Sequence, residues 1–302
     1  MTKQEFRNLV KQRPVILDGA TGSNLMKAGM PKGVCTEQWI CENPKPLQEL
    51  QKAYEKAGSQ IVYAPTFSAN CISLKNYGLE NQVEELNKAL IEISRTAVGN
   101  QMLVAGDLTT AGNQETPYEE LLEAYREQIL VQAREGIDLL VAETMLGVTE
   151  CMAALDAAAS VCSLPVMCTL TVESDGSLFF GGNIYEAVET LEEMGADAVG
   201  INCSTGPDQL LSVVENNRKA KGRNACYKCS GAASLLYGSQ GICSLHEIPG
   251  RRRCRHHRRL LRNNPGIHTE ITRYFYALRL QAQSEHRLNR KGTNILVTNL
   301  TW

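Results

Sequence analysis

Short, nearly continuous apolar runs punctuate the first two thirds of the chain: PVILDG (14–19), SQIVYAPTF (59–67), QMLVAGDL (101–108), IDLLVAET (137–144), LPVMCTLTV (164–172) and ADAVGINCS (196–204). Unbroken apolar runs of this length are what parallel strands covered on both faces require. The segments between them switch to helical spacing. In PKPLQELQKAYEKAG (44–58), Leu47, Leu50, Tyr54 and Ala57 fall on one face, a proline opens the first turn and Gly58 follows the last. Residues 83–98, 117–135, 148–160, 184–194 and 207–220 carry the same period, and Gly136 and Gly195 each stop a helix just ahead of a strand.

Six β/α units at this spacing predict an α/β fold, specifically a (β/α)8 TIM barrel that is incomplete because its last two units are disrupted. An open doubly wound sheet is the alternative. Polar residues decide between them: Asp18, Thr66, Asp107, Glu143, Thr171, and Asn202 with Cys203, each fall at the C-terminal end of a successive strand. A barrel places its chemistry on that face all the way round, whereas an open sheet concentrates it at one switch point.

Charge divides the chain. The formal net charge of the 302 residues is -2, but residues 1–217 hold 14 basic and 30 acidic side chains, and residues 218–302 hold 17 basic and 3 acidic ones. All five histidines (His246, His256, His257, His268 and His286) lie in the second part. The expected organisation is a barrel portion over 1–217 and an atypical basic tail over 218–302 that is not expected to fold. No apolar run is long enough to span a membrane, and MTKQEFRNLVKQ lacks the apolar core of a signal peptide, so a cytoplasmic protein without a membrane partner is expected. In that compartment the eleven cysteines read as free thiols or metal ligands rather than disulfides. Cys151, Cys162 and Cys168, in apolar surroundings, read as small core residues.

Three stretches carry candidate chemistry. DGATGSNL (18–25) is a glycine-bearing loop after a strand; it does not fit the dinucleotide pattern, and its backbone N–H groups suit a carboxylate or phosphate, or only a tight turn. Glu143 ends an apolar strand in VAETM, where a carboxylate needs a partner: a ligand ammonium or a neighbouring loop serves equally. Cys203 in GINCSTGP ends another, a better place for a thiolate ligand than a cysteine in a core.

Taken in order, DGATGSNL, APTFSAN (64–70), VAETM (141–145) and GINCSTGP (200–207), with MPKGVCTEQW (30–39), resemble the homocysteine S-methyltransferase family, over residues 14 to about 216. The likeness implies a zinc-activated thiol. Members hold Zn²⁺ through three cysteine thiolates, one in an N-C motif and two in a GGCCGT motif after the eighth strand, and the metal removes the substrate thiol proton that otherwise titrates near ~8.5. Carried over by motif, Asp18 with Gly19, Ala20 and Thr21 would hold the amino-acid end of homocysteine. Glu143 would face its ammonium, Thr66 and Asn202 would line the pocket, and Cys203 would be the first zinc ligand. The methyl donor of the methionine-synthase branch, methylcobalamin or methyltetrahydrofolate, would come from separate cobalamin- or folate-binding modules.

GGCCGT is absent from this chain. Cys226-Tyr-Lys-Cys229 is an in-chain substitute that, with Cys203, would give three thiolates, although a single C-x-x-C is a weak metal signal. The tail offers another account. RRLLRNNPGI (258–267) can be written in codons that, read one nucleotide later, encode G-G-C-C-G-T-T-P-E-Y, and the same shift turns CRHH (254–257) into the strand-like A-D-I-I. The tail is therefore read as an out-of-frame translation, with the frame change between about Asn216 and Cys229. On this reading the barrel cannot close, its first and sixth strands keep open edges, and the chain is impaired. Two weaker readings are a non-catalytic remnant that binds a small molecule, and a nucleic-acid binder acting through RRRCRHHRR (251–259); the second lacks any surrounding binding motif. Sequencing the coding DNA across codons 210–270 is expected to show A-D-I-I-G-G-C-C-G-T in the adjacent frame; any other reading there would make the tail genuine protein.

Overall fold

The computed structural model describes residues 1–12 and 15–204, positions 210 and 213, and the backbone of the short segments 226–227, 235–238 and 294–297. The rest of the 207–220 helix and of the 218–302 tail, with the frame change assigned to it, lies outside the described residues.

In chain order the elements are α1 (Lys3–Gln12), α2 (Gly22–Lys27), α3 (Thr36–Glu42), α4 (Pro44–Ala57), β1 (Ile61–Tyr63), α5 (Cys71–Leu74), α6 (Val83–Val98), β2 (Leu103–Leu108), α7 (Tyr118–Arg134), β3 (Leu139–Met145), α8 (Val148–Val161), β4 (Val166–Leu170), α9 (Ile184–Glu193), β5 (Ala198–Ile201), β6 (Cys226–Tyr227), β7 (Leu235–Gly238) and β8 (Asn294–Val297). Strands β1 to β6 form one sheet in strict sequence order, and every neighbouring pair is parallel. A doubly wound sheet reverses its order at a switch point; this one does not, which is the barrel topology. The strand expected over 14–19 is reduced to a parallel bridge between Leu17 and Ile61, supported by Gln60 N–H donating to Ile16 O at 2.7 Å. It sits on the outer side of β1, where a first barrel strand belongs.

Alternate residues of each strand enter different cores. Leu17, Ile61, Tyr63, Ala105, Leu139, Val141 and Met167 pack together inside the sheet. Their neighbours in sequence, Val62, Val104, Leu140, Ala142, Cys168 and Val199, pack outward against the helices. Helix α1, which the strand-and-helix repeat does not foretell, closes the inner core from the N-terminal end of the strands: Phe6 and Val10, one turn apart, are 0% and 2% exposed among the inward residues.

A small repeat at that end ties three strand segments to their successors. Gly58-Ser-Gln60, Gly136-Ile-Asp138 and Gly195-Ala-Asp197 share the form glycine, any residue, polar acceptor. Gln60 Oε1 accepts from Ile16 N (3.4 Å), Asp138 Oδ2 from Val104 N (2.8 Å) and Asp197 Oδ2 from Val166 N (3.1 Å). Each acceptor thus satisfies an N–H at or near the start of the preceding strand segment: Ile16 beside the Leu17 bridge, Val104 one residue into β2, and Val166 at the start of β4. Asp197, whose side chain is fully buried, also receives Arg7 at 2.8 Å and Lys3 at 3.6 Å, which anchors α1. Asp197→Ala is expected to destabilise the protein by about 2 kcal/mol, because it strands the buried Val166 N–H and releases the anchor of α1. Arg7→Ala and Lys3→Ala, at half-exposed positions, are expected to cost less than about 1 kcal/mol each. Urea unfolding of the three variants measures the difference, and equal losses would refute it.

Candidate active site at the C-terminal ends of the strands

Two strand ends organise the opposite face. β3 closes with Glu143, Thr144 and Met145, and β5 is followed by Asn202, Cys203 and Ser204. Among the described residues, Thr144 (φ 57°) and Cys203 (φ 46°) are the non-glycine residues with positive φ. Such backbone is unfavourable for side-chain-bearing residues and persists only where surrounding contacts impose it. Here Asn202 imposes it on Thr144. Asn202 Oδ1 accepts from Thr144 N at 2.8 Å, and Asn202 Nδ2 donates to Thr144 Oγ1 at 2.7 Å and to Glu143 Oε2 at 3.2 Å. The pairing of β3 with β4 shifts register between Ala142 and Met145, a bulge that re-aims Glu143.

β4 completes the frame. Asn202 N–H donates to Leu170 O at 3.0 Å, and Thr171 N–H donates to Met145 O at 2.9 Å. Ser204 Oγ donates to Asn202 O (2.9 Å) and accepts from Val172 N (2.8 Å). Asn202 and Ser204 are buried in this frame, while Glu143 and Cys203 keep part of their surface accessible at the mouth.

The DGATGSNL loop lies over α4. Asp18, 3% exposed, accepts from Tyr63 N at 2.9 Å and ties the loop to β1. Gly19 rests on the ring of Tyr54, and any Cβ there would collide with it. The Tyr54 hydroxyl donates to Ala20 O at 3.0 Å, where Asn24 Nδ2 also donates at 2.7 Å. Thr21 caps α2, its carbonyl accepting from Asn24 and Leu25 N–H at 3.0 Å. Thr66 is fully buried and its hydroxyl is engaged behind the mouth: it donates to Asp107 O (2.9 Å) and accepts from Asp107 N and Gln132 Nε2 (both 3.0 Å).

Two buried carboxylates escape a reading by strand ends because they sit on helices. Glu37 on α3 accepts from Ser68 N at 2.8 Å and from the Cys35 thiol at 3.4 Å, which fastens the MPKGVCTEQW segment over the loop after β1. Burial pushes both the Glu37 carboxyl and the Cys35 thiol up. Glu150, in the first turn of α8 and 2% exposed, accepts from Thr110 Oγ1 at 3.0 Å, and Thr110 Oγ1 accepts from Leu146 N at 3.1 Å. This latches the loop after β2 to the loop after β3.

Of the thiols read as core, Cys151 and Cys168 are fully buried between α8 and β4. Cys162 is half-buried against the same cluster. Among the described residues no group of three or more histidine, cysteine, aspartate or glutamate side chains is placed to hold a metal ion. The backbone of Cys226 pairs with Gly200 on β5, while its side chain and Cys229 lie outside the described residues.

A sequentially wound parallel barrel with its polar residues gathered at the C-terminal ends of the strands is the architecture of the β/α-barrel enzymes. The chain belongs to the homocysteine S-methyltransferase family, whose profile matches residues 15–239, a stretch that runs past the 217 boundary. It is 28% identical over 222 residues to a methionine synthase of Mycobacterium leprae, which covers 66% of this chain and 18% of that protein. It is also 28% identical over 205 residues to the S-methylmethionine–homocysteine S-methyltransferase BHMT2 of Pongo abelii, covering 67% of this chain and 54% of the relative. The chain thus spans less than a fifth of that methionine synthase and about half of the BHMT2 protein. Its fold matches the metallated form of the homocysteine methyltransferase MmuM from Escherichia coli, with a TM-score of 0.65, 20% identity, and coverage of 74% of this chain and 86% of that one.

Burial pushes the Glu150 carboxyl up from 4.5 to about 7, against the hydrogen bonds from Thr110 and the Leu146 and Gly147 N–H groups. The folded protein therefore favours the protonated form. Stability tied to this group is fully present below about pH 4.5 and is lost as the pH rises through about 7. Glu150→Gln is expected to be more stable than the parent by up to about 3 kcal/mol at pH 8, and to lose most of that advantage at pH 5. Urea unfolding at the two pH values tests this, and a difference independent of pH would refute it.

Proposed function

We propose that this chain binds homocysteine at the mouth of the barrel, and that the reaction of the site is methyl transfer to the homocysteine sulfur, giving methionine. The observation that carries this reading is the cluster of Glu143, Asn202 and Cys203, held by a hydrogen-bonded frame at the ends of β3 and β5 on either side of β4, in a chain of this family. Glu143 faces the substrate ammonium, and Asp18 with Gly19, Ala20 and Thr21 receives its amino-acid end. Asn202 and Thr66 shape the wall. Cys203 is the thiolate that would face a zinc ion. Methylcobalamin or methyltetrahydrofolate on separate modules is the methyl donor, which accords with the small share of the mycobacterial methionine synthases that this chain matches. The cytoplasm is the expected compartment, and among the described residues no helix is long and apolar enough to cross a membrane.

Zinc requires three thiolates in this reading, and the described residues supply one at the mouth, Cys203. They do not fit a zinc ion by themselves, so the work assigned to this chain's own residues is binding and orientation. We attribute the shortfall to a tail read out of frame over 218–302, which leaves the chain impaired as a methyltransferase. The same single thiolate favours a second reading, a non-catalytic remnant that still binds the amino acid.

Calorimetry with L-homocysteine, metal analysis and a methyl-transfer assay on the full chain test these statements together. Homocysteine binding with well under about one zinc per chain and no methyl transfer is expected. About one zinc per chain with methyl transfer would overturn the impairment. Absence of homocysteine binding would overturn the substrate reading.

A further inference from the structure

Helix carboxamides reach the C-terminal ends of two strands from outside the barrel. Gln51 on α4 donates to Tyr63 O and to Ser94 Oγ, both at 3.1 Å. Gln128 on α7 donates to Thr66 O at 2.7 Å and to Asp107 O at 3.4 Å. Gln132, one turn further on, donates to Thr66 Oγ1 at 3.0 Å and to Asn87 Oδ1 at 3.1 Å. Asn87 Nδ2 passes the chain of bonds to Ala69 O (2.7 Å) and Val83 O (2.8 Å). Gln128, Gln132 and Asn87 are all fully buried.

Packing alone does not account for two glutamines here. The carboxamide oxygens of Gln128 and Gln132 are buried without a hydrogen-bond partner, a destabilising arrangement that a leucine of similar volume would avoid. The backbone has also made room for them: a Cβ at position 106 would collide with the Gln132 carboxamide, and Gly106 leaves that space open. What the amides supply, and leucine would not, is a fixed donor for each carbonyl where the ladder between β1 and β2 ends.

We infer that Gln128 and Gln132 are positioning residues which, through Thr66 and the Asp107 backbone, set the ends of β1 and β2 and with them the Asp107 carboxylate at the barrel mouth. Asp107 alternates with Ala105, which faces the inner core, so its side chain points to the same interior. Neither glutamine is assigned a contact with substrate. The consequence for ligand binding rests on the homocysteine reading above; the consequence for the backbone does not.

The test uses the full chain with Gln128→Leu, Gln128→Glu and, as a packing control on the same helix, Ile129→Val. Two quantities are read: hydrogen-exchange protection of the Asp107 amide, which donates to Thr66 Oγ1 at 3.0 Å, and L-homocysteine affinity by calorimetry. Gln128→Leu is expected to lower Asp107 protection about tenfold, and Ile129→Val by less than about threefold. Gln128→Glu is expected to keep protection at pH 5, where a neutral carboxyl donates to Thr66 O. It should lose protection at pH 8, where a carboxylate faces two carbonyls. That reversal has no counterpart in a packing defect, and it identifies the role even if Gln128→Leu fails to fold. Homocysteine affinity is expected to fall about tenfold in Gln128→Leu and to hold in the control. Unchanged Asp107 protection in Gln128→Glu across the two pH values would overturn the assignment. Lost protection with unchanged affinity, in a parent that binds homocysteine, would overturn the positioning role. A parent that does not bind homocysteine would refute the substrate reading, and the exchange data would still decide the strand-end assignment.

Discussion

A parallel strand runs out of hydrogen-bond partners at both ends, and a barrel buries many of those ends in protein rather than water. Much of the buried polar chemistry in this chain answers that constraint. At the N-terminal ends, Gln60, Asp138 and Asp197 accept an N–H near the start of the strand segment before. At the C-terminal ends, Gln51, Gln128 and Asn202 reach backbone groups that the ladder leaves behind. An unpaired buried amide or carbonyl is destabilising by roughly 1–3 kcal/mol, a large fraction of the stability of an ordinary domain. The arrangement is therefore a condition of folding before it is a feature of the site.

The two ends solve the same problem with different consequences. The acceptors on the N-terminal face follow a helix-stopping glycine, and Asp197 among them is tied to α1, whose Phe6 and Val10 enter the inner core. That face is closed. On the C-terminal face Gln51 and Gln128 reach in from helices and Asn202 from the end of β5, and the strained backbone of Thr144 is tolerated because Asn202 determines it. Glu143 is held there by Asn202, and Cys203 follows directly in sequence.

The repeat of apolar runs and helical spacing made the barrel legible, because strand and helix periods are local properties of the chain. The helices over 44–57 and 83–98 fall within a residue of their expected limits. The strand over 14–19 did not form as a full ladder, since its residues pair on one side with β1 alone among the described elements. Helix α1 was missed because only Phe6 and Val10 mark its buried face, too few to stand out in a basic, polar segment. Asp18, Glu143, Asn202 and Cys203 could be singled out by a polar residue ending an apolar strand. The frame around them could not: Asn202 meets Thr144 across 58 positions, and Gln128 meets Thr66 across 62. Glu37 and Glu150 were hidden for the same reason, as acidic residues in a helical pattern read as solvent-facing until a partner loop covers them.

The glycine-x-acceptor repeat has a consequence for how the chain is made. Ile16 waits 44 residues for Gln60, Val104 waits 34 for Asp138, and Val166 waits 31 for Asp197. These three strand starts are thus sealed by a unit that follows them, and a ribosome emitting the chain from its N-terminus finishes each of these rungs only as the later unit emerges. Assembly in this order is a zipper that runs in the direction of synthesis. A break in the message downstream of Asp197 leaves these three rungs already sealed.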